Sequence, residues 1–373
     1  MSNLQLEYTR EELLATDAID EPLVLSDVRC HGGLRSDGSY VTPRTRFRNP
    51  AIEAWEQNHL EHFGGEILHA PLETWPRNYP NVEQSKFLLR NGIREPIIAN
   101  LTRIGTVEGF GAMLGYLGLP DMQRFFVEDV RGTSIDHLSK GLLEAHGRDE
   151  GGWEEEAGHK HMWYVVRDIA FEDPLTEDQT EVMMERLGFG GGAGAGGAGD
   201  VSSARERFMG RRTFEDLDVG LEMLLSMTTR VLFVECKAFH VFNWAQELLA
   251  DDDLVAGEGR APELVSYILR DEMPHVGYAQ VALTEMRDRT FIGQSGRRYP
   301  GEEIIGSLWN AALADSMGVL EDQNRMFVLA EVERALEGRR NGAELLEEFH
   351  RLGDIRPGPD GTFGGAAAKV VTY

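Results

Sequence analysis

The chain has few of the features that mark secreted, membrane-spanning or zinc-binding proteins. It contains two cysteines, Cys30 and Cys236, too few for a disulfide framework or a zinc ribbon, and we expect a reducing cytoplasm. No uninterrupted apolar run reaches about 18 residues. The first residues lack a basic segment followed by an apolar core. We therefore expect neither secretion nor membrane spanning.

Positive charge is also scarce. The 37 Lys and Arg residues are outnumbered by 63 Asp and Glu residues, which gives a formal net charge of −26 at pH 7. Nucleic-acid binding needs clustered Lys and Arg to neutralise phosphates, so this charge predicts no nucleic-acid partner. The 373 residues can bury a large core, and helical patterning dominates the chain after its first quarter.

One pair of residues gives the strongest functional signal. Glu272 and His275 lie three positions apart in the segment Arg-Asp-Glu-Met-Pro-His at 270–275, so on a helix their side chains point the same way. Both fall inside an apolar stripe, which predicts that they face the core. A buried carboxylate requires a cation, a metal ion or a proton. The pair is a candidate for metal ligation, and a simple Glu–His hydrogen bond is the alternative.

The same spacing occurs a second time. Glu156 and His159 lie three positions apart in 153–163, and an apolar stripe continues their face of a predicted helix. Glu235 shares the apolar face of a third predicted helix. If that helix packs antiparallel to the next, Glu235 and Glu272 lie roughly 22 and 17 Å from their connecting loop, at nearly the same height.

Three residues compete to be the remaining carboxylate ligand. Glu108 is the only charge in an apolar, small-residue run at 104–120, where a buried carboxylate needs a partner. Glu144 lies closer to the second pair, but its own face is not apolar, and Glu128 is the third candidate. We favour Glu108 and keep Glu144 as the alternate first ligand. His146, on the apolar side of its segment, is a candidate extra ligand.

Two Glu-x-x-His pairs and two single Glu residues form the pattern of a two-metal site in a four-helix bundle. The chain in this respect resembles the ferritin-like di-metal carboxylate superfamily, and its Arg-Asp-Glu-x-x-His segment resembles the last metal helix of the ribonucleotide reductase small subunit and related oxidases. The resemblance covers roughly residues 96–290 and implies an all-α, ferritin-like four-helix bundle. The metal ligands it implies are Glu108, Glu156, His159, Glu235, Glu272 and His275. It also implies that Asp271 orients a metal-bound histidine from behind.

The resemblance implies a function as well. Oxygen-rich ligation suits iron or manganese, and two divalent ions neutralise four carboxylates. Members of this superfamily activate dioxygen, so we expect a di-iron oxidoreductase, an oxidase or oxygenase acting on a small organic substrate, with a manganese–iron pair as the other choice. Electrons would come from a separate donor or from the substrate itself. The alternatives are ferritin-like metal storage or detoxification, and a non-catalytic helical protein. Tyr278 is a candidate redox-active or substrate-gating residue, with simple packing as its alternative.

The rest of the chain divides by composition. Residues 1–90 are expected to form an irregular N-terminal extension, 91–290 the helical bundle and 291–355 accessory helices, with a mobile tail at 356–373. The Gly-rich run within 188–203 is predicted to be a flexible linker between two halves of the bundle. It is not a phosphate loop, because no Lys-Ser or Lys-Thr follows it. The sequence leaves a monomer and a homodimer both open.

Overall fold

The chain is mostly helical, as predicted, with 62% helix and 7% strand. The computed structural model describes residues 4–70, 72–171, 175–184 and 212–358 together with Phe363. The predicted linker at 188–203 and most of the predicted tail lie outside the described residues. Within the described ranges, no helix is long and apolar enough to cross a membrane.

Most of the secondary-structure elements are helices. The helices are α1 Arg10–Leu13, α2 Arg48–Phe63, α3 Val82–Arg90, α4 Glu95–Glu108, α5 Ser134–His137, α6 Leu143–Gly151, α7 His159–Phe171, α8 Glu177–Met184, α9 Val219–Leu249, α10 Arg260–Arg287, α11 Gly301–Met317, α12 Val319–Leu336 and α13 Gly342–Leu352. The strands are β1 Glu21–Leu25, β2 Val28–Leu34, β3 Tyr40–Val41, β4 Thr290–Ile292 and β5 Arg298–Pro300. Short 3₁₀ segments lie at Leu72–Thr74, Gly109–Tyr116 and Met122–Phe125, and a π-helical turn at Leu138–Leu142 joins α5 to α6.

The first ninety residues contain regular structure. Strands β1, β2 and β3 form an antiparallel sheet in that order, and β4 pairs with β5 further along the chain. Ser26 and Asp27 connect β1 to β2 with φ of 49° and 62°, the left-handed pair that a tight two-residue hairpin requires. Gly32 is needed in β2, because a Cβ there would lie 2.6 Å from the Tyr40 hydroxyl. The sheet therefore brings Tyr40 close against β2.

Four helices form the centre of the molecule. Helix α9 packs along α10, α10 packs on α7, and α7 packs on α4. The apolar core has two parts, one around the first half of α9 and the second half of α10, and the other around the opposite halves. On α9 the two parts meet at Cys236 and Ala238, and on α10 they meet between Ile268 and Tyr278. The inward polar residues that the sequence singles out on these helices lie at this boundary.

The second half of α10 also anchors the segment that leads into α6. The Glu285 side chain is completely buried, and its Oε2 accepts a hydrogen bond of 3.1 Å from the backbone N–H of Ile135, near the start of α5. Burial raises the pKa of Glu285 to about 8, although Arg289 opposes this shift. The protonated carboxyl therefore acts as an acceptor at the N-terminus of α5, a position where backbone N–H groups need partners.

We expect Glu285→Gln to stabilise the protein at alkaline pH. A carboxyl whose pKa is raised on folding binds its proton more tightly in the folded state. Its contribution is therefore fully present below the unfolded pKa near 4.5 and is lost as the pH rises through about 8. Over that window the wild type should lose up to about 1.4 kcal/mol of unfolding free energy per pH unit relative to the variant.

Chemical denaturation of both proteins at pH 5, 7 and 9 measures this difference. Glu303→Gln, on the exposed face of α11, is the control and should follow the wild type. A difference between Glu285→Gln and the wild type that is constant with pH would contradict the prediction.

Candidate metal centre

Two groups of acidic and imidazole side chains meet in the interior of the helical region. The first, called the Glu235 group, comprises His146, Glu150, Glu235 and His275. The second, called the Glu108 group, comprises Glu108, Glu150, His159 and Glu272. Within each group, one donor atom from every residue lies within 4.8 Å of the others, close enough to hold a metal ion. Both groups contain Glu150, so the two candidate sites are adjacent.

Five helices supply the seven side chains. Glu108 is the last residue of α4, α6 contributes His146 and Glu150, α7 begins with His159, α9 contributes Glu235, and α10 contributes Glu272 and His275. Six of the seven residues are at most 5% exposed, and Glu108 is half-buried. The structure thus brings together five of the six residues that the sequence predicts as ligands, and it leaves out Glu156.

Glu156 lies outside both groups because the predicted helix around it does not form. Helix α7 begins only at His159, and residues 152–158 form a tight loop after α6. Gly152 has φ of 88°, and a Cβ added to Gly152 or to Gly158 would come within 2.4 Å of the backbone across the loop. The helical spacing that placed Glu156 beside His159 therefore does not apply.

Backbone hydrogen bonds fix this loop against β2. The N–H of Ala157 donates to the Arg29 carbonyl at 2.8 Å, and the N–H of His31 donates to the Ala157 carbonyl at 2.9 Å. Because Ala157 is held in this way, the neighbouring Glu156 carboxylate points outward and pairs with Arg29 at 3.1 Å. The short loop in turn brings His159 back towards α6.

The other candidates for the first carboxylate lie elsewhere. Glu144 is partly exposed and forms an ion pair with Arg10. Glu128 accepts hydrogen bonds from the backbone N–H and the hydroxyl of Thr290, at 2.7 and 2.9 Å, and so joins its loop to β4. The favoured candidate, Glu108, reaches the cluster, and so does the candidate extra ligand His146.

Glu150 is the residue that sequence reasoning missed, although it belongs to both groups. The residues around it, Arg148-Asp149-Glu150, repeat the triplet Arg270-Asp271-Glu272 of the predicted metal helix. A search for that repeated triplet would have identified Glu150. The search for Glu-x-x-His spacing could not identify it, because no histidine lies three residues after Glu150. Its partner His159 follows nine residues later, after the loop at 152–158.

Two carboxylates stand between two histidines. The Nδ1 atom of His159 lies 2.7 Å from Glu272 Oε1 and 3.2 Å from Glu150 Oε1. The Nδ1 atom of His275 lies 2.6 Å from Glu272 Oε2 and 3.3 Å from Glu150 Oε1. Glu150 and Glu272 are therefore placed as carboxylates shared by two ions would be, with one histidine on each side.

The other ring nitrogen of each histidine faces a buried Asp. Nε2 of His275 lies 2.9 Å from Asp149, and Nε2 of His159 lies 3.6 Å from Asp271. Such a carboxylate fixes the orientation of an imidazole and raises its basicity towards a metal. Asp149 lies on α6 and Asp271 on α10, so each Asp faces the histidine that comes from the other half of the chain. This is the kind of position that the sequence predicts for Asp271.

Asp149 is held by two arginines from the N-terminal region. Nη2 of Arg44 lies 2.5 Å from one carboxylate oxygen of Asp149, and Nη2 of Arg48 lies 2.8 Å from the other. All three side chains are buried. The two guanidinium groups compensate the Asp149 charge, so this carboxylate can serve His275 without adding an uncompensated negative charge to the interior.

Asp271 is also held by the N-terminal region. Its Oδ2 atom accepts a hydrogen bond of 2.8 Å from the Tyr40 hydroxyl and lies 2.9 Å from Nε2 of His31. His31, His159 and Asp271 form a third group of potential ligands. Nδ1 of His31 lies 3.3 Å from the Arg44 guanidinium, a cation that disfavours a metal ion there. We interpret this group as a hydrogen-bond network behind His159.

His146 differs from the other two histidines. It presents Nε2 to the cluster, 3.4 Å from Glu235 and 3.6 Å from Glu150. Its Nδ1 forms a hydrogen bond of 3.0 Å with the hydroxyl of Tyr278. Burial and the neighbouring His275 lower the pKa of His146 to about 3, so its imidazole is neutral and able to act as a metal ligand.

The four glutamates divide into two kinds. Burial raises the pKa of Glu108 and of Glu235 well above the usual carboxyl range, and repulsion from Glu272 and Glu150 raises both further. Burial would also raise the pKa of Glu272, but His159 and His275 hold it well below its usual value. These shifts favour the protonated forms of Glu108 and Glu235 and the ionised forms of Glu272 and Glu150, whose pKa is lowered as well.

The pKa shifts of the two histidines between these carboxylates favour the cationic form in the metal-free protein. Burial would lower the pKa of His159 and of His275, but the adjacent Glu272 carboxylate and other nearby carboxylates hold both well above the usual value. The shifts thus favour four bound protons in the metal-free cluster, on two glutamates and two histidines. Two divalent cations carry the same positive charge.

The residues fit two metal ions better than a closed hydrogen-bond network. Among the described residues, two buried donor atoms of the cluster have no hydrogen-bond partner: Nε2 of His146 and Oε2 of Glu150. Buried polar atoms in proteins are normally paired, so such atoms require an explanation. Four carboxylates and three imidazoles are a donor set that suits iron or manganese.

The 3₁₀ segment Gly109–Tyr116 covers this cluster. It packs on α6, and a Cβ added to Gly111 would lie 2.4 Å from Cγ of Glu150. Gly111 is not in a left-handed conformation, so contact with Glu150 is the reason that this position excludes a larger residue. The carboxylate common to both groups is thus held in place by the backbone of the segment that follows Glu108.

We expect Gly111→Ala to weaken metal binding, because the added methyl group must displace Glu150. Forcing an extra methyl group into a packed site costs about 1–3 kcal/mol, so affinity should fall by about 5- to 160-fold. Gly118→Ala is the matched control, since a Cβ there meets no atom within 4 Å. Titration of both variants with ferrous ion or Co(II) measures the effect, and equal affinities would contradict this account of Glu150.

We also expect metal binding to release about four protons per two divalent ions near pH 7, because Glu108, Glu235, His159 and His275 must lose their protons to act as ligands. Affinity should therefore fall as the pH falls, and the product of the two dissociation constants should rise by up to about 10⁴ per pH unit. Calorimetry in buffers of different ionisation enthalpy counts the protons. Release of fewer than two would show that these groups are not protonated in the metal-free protein, and would contradict the prediction.

Comparison with known proteins assigns the chain to no family. No family model, no curated protein and no solved structure matches it. The site is therefore defined by its own side chains, four carboxylates and three imidazoles that form two adjacent donor groups.

Proposed function

We propose that the protein is an oxygen-activating di-iron oxidase or oxygenase that acts on a small organic substrate, with its ligands held in a ferritin-like helical bundle. One observation carries the proposal: two four-residue donor groups, each rich in carboxylates, share the buried side chain of Glu150. Two ions held by a common carboxylate lie close enough to act on one molecule together, which separate metal sites cannot do.

The choice of iron follows from the donor atoms. Cysteine is absent from both groups, which disfavours a structural zinc site, and the excess of carboxylates over imidazoles disfavours copper. Iron and manganese accept this mixture of oxygen and nitrogen ligands. Such residues would hold a pair of ferrous ions that could supply two electrons to dioxygen, with the remaining two from a separate donor or from the substrate. A manganese–iron pair is compatible with the same residues.

The protein's own contribution is to hold the ligands and to exclude water. Asp149 and Asp271 direct Nδ1 of His275 and of His159 towards the cluster. The apolar cores on either side of the boundary exclude water from the ligands. The lower dielectric constant strengthens the electrostatic interactions among these side chains. Glu108 is the only half-buried ligand, so the approach for a substrate that this arrangement favours is along the end of α4.

The proposal is tested by replacing Glu150 and Glu156 separately. Glu150→Gln keeps the shape of the side chain but removes the charge common to both groups. It should lower the affinity for both ions by more than about 100-fold. Removing a residue that only hydrogen-bonds to a metal ligand already lowers metal affinity by about 10- to 100-fold, and Glu150 is itself a candidate ligand. Glu156→Gln changes the same residue type at a surface position paired with Arg29, and it should bind two ions like the wild type.

The measurement is elemental analysis together with an anaerobic ferrous titration, followed by exposure to oxygen and visible absorption. Two iron ions per chain and a transient oxidised chromophore support the proposal. Oxidation of many iron ions per chain would indicate storage or detoxification instead. If the wild type binds no stoichiometric metal, the proposal is wrong and the cluster has a structural role.

A further inference from the structure

The three histidines of the centre have different partners behind them. The far nitrogens of His159 and His275 face the carboxylates of Asp271 and Asp149, at 3.6 and 2.9 Å. The far nitrogen of His146 faces the phenolic hydroxyl of Tyr278 at 3.0 Å. A carboxylate only accepts hydrogen bonds, whereas a phenol can either donate or accept. This difference determines which tautomers each histidine can adopt.

For His275 the carboxylate leaves one arrangement. Nε2 must carry the hydrogen in order to donate to Asp149, so the lone pair of the neutral ring is on Nδ1 and points at the cluster. Asp271 favours the same arrangement for His159 electrostatically, because its carboxylate faces Nε2 at 3.6 Å, which is beyond hydrogen-bond distance. Both imidazoles are thus set up as permanent ligands, and their carboxylates strengthen them as donors.

For His146 the phenol allows two arrangements. When Nε2 binds a metal, Nδ1 carries the hydrogen and donates to the Tyr278 oxygen. When Nε2 is released, it can carry the hydrogen itself and donate towards Glu235, 3.4 Å away, while Nδ1 accepts from the Tyr278 hydroxyl. The ring is neutral in both states, so exchange between them needs no net gain or loss of a proton.

Ring contacts restrict the tilt of the His146 imidazole and leave the choice of nitrogen to Tyr278. The His146 ring stacks on the His275 ring, with centroids 3.7 Å apart and planes 8° apart, and the Tyr278 ring meets it nearly edge-on. Tyr278 is 1% exposed, so water does not replace its hydroxyl. Because a phenol gives His146 less donor strength than a carboxylate would, His146 is the weakest of the three imidazole ligands.

We propose that Tyr278 is a positioning residue that makes His146 an exchangeable third imidazole ligand of the Glu235 group, displaced when a small exogenous ligand binds. The inference rests on the proposed function and deepens it, since it identifies the coordination position that opens. Glu235, His275 and the shared carboxylate of Glu150 keep that ion in place when His146 leaves. The exchange is a substitution of one neutral donor by another ligand, with no change of oxidation state.

The test uses the full-length protein loaded with Co(II) and azide as the exogenous ligand. Each imidazole bound to Co(II) gives one strongly shifted, solvent-exchangeable N–H signal in the proton NMR spectrum. The wild type should show three such signals in water, and saturation with azide should remove one. His146→Ala should show two signals without azide and lack the same one, which assigns the signal.

Tyr278→Phe removes the hydroxyl and leaves the ring. The Nδ1–H of a metal-bound His146 would then be buried without a partner, so the released form is favoured. We expect two exchangeable signals before azide is added, and azide affinity higher by about tenfold because no histidine has to be displaced. Tyr267→Phe is the control, since that hydroxyl donates to Glu263 away from the cluster; it should keep three signals and the azide affinity of the wild type.

The outcomes separate this inference from the proposed function. Three signals that persist while azide binding is visible in the Co(II) absorption overturn the exchange, as does a failure of azide to bind. Two Co(II) ions with only two signals in the wild type show that His146 is not a ligand and leave the proposed di-metal function standing. Fewer than two Co(II) ions per chain overturn both.

Discussion

The structure depends on one electrostatic constraint, which is the burial of six carboxylates within a few ångströms of each other. Two of them have partners from the N-terminal region. Asp149 pairs with two guanidinium groups, and Asp271 pairs with His31. The other four, all glutamates, lie beside histidines and one another in the two donor groups. A buried carboxylate without a compensating charge costs several kcal/mol, so the four glutamates must bind protons or metal ions. The shifted pKa values of Glu108 and Glu235 are a consequence of that requirement in the absence of a metal.

This constraint also explains the role of the N-terminal region. Arg44 and Arg48 neutralise Asp149, and Tyr40 and His31 bind Asp271, so this region contributes to the centre although it supplies no residue of the Glu235 and Glu108 groups. Its sheet brings Tyr40 close because Gly32 leaves room for the hydroxyl. The hydrogen bonds of β2 to the loop before α7 then place His159. The helices carry the ligands, but the N-terminal sheet sets the loop and the charges behind them.

The sequence predicted the part of the site that depends on regular helices. Glu235, Glu272 and His275 lie on the apolar faces of two long helices, where side-chain direction follows from spacing alone, and the helical character of the chain is confirmed. Glu156 does not reach the site, because two glycines and the contact with β2 form a loop in place of the predicted helical turn. Helical spacing does not determine side-chain direction in a loop. Glu150 was missed because its partner histidine lies across that loop. The arginines behind Asp149 could not be predicted, since they are distant in sequence and nothing in their neighbourhood distinguishes them.

The repeated Arg-Asp-Glu triplet links the two halves of the centre. One triplet lies on α6, before the predicted linker, and the other lies on α10, after it. Asp149 of the first faces His275 of the second half, and Asp271 of the second faces His159 of the first half. Each half therefore contributes one histidine that faces an Asp carboxylate of the other half. Neither half can orient its histidines alone, so the donor groups form only when α10 has packed on α7, and formation of the centre is coupled to the association of the two halves of the fold.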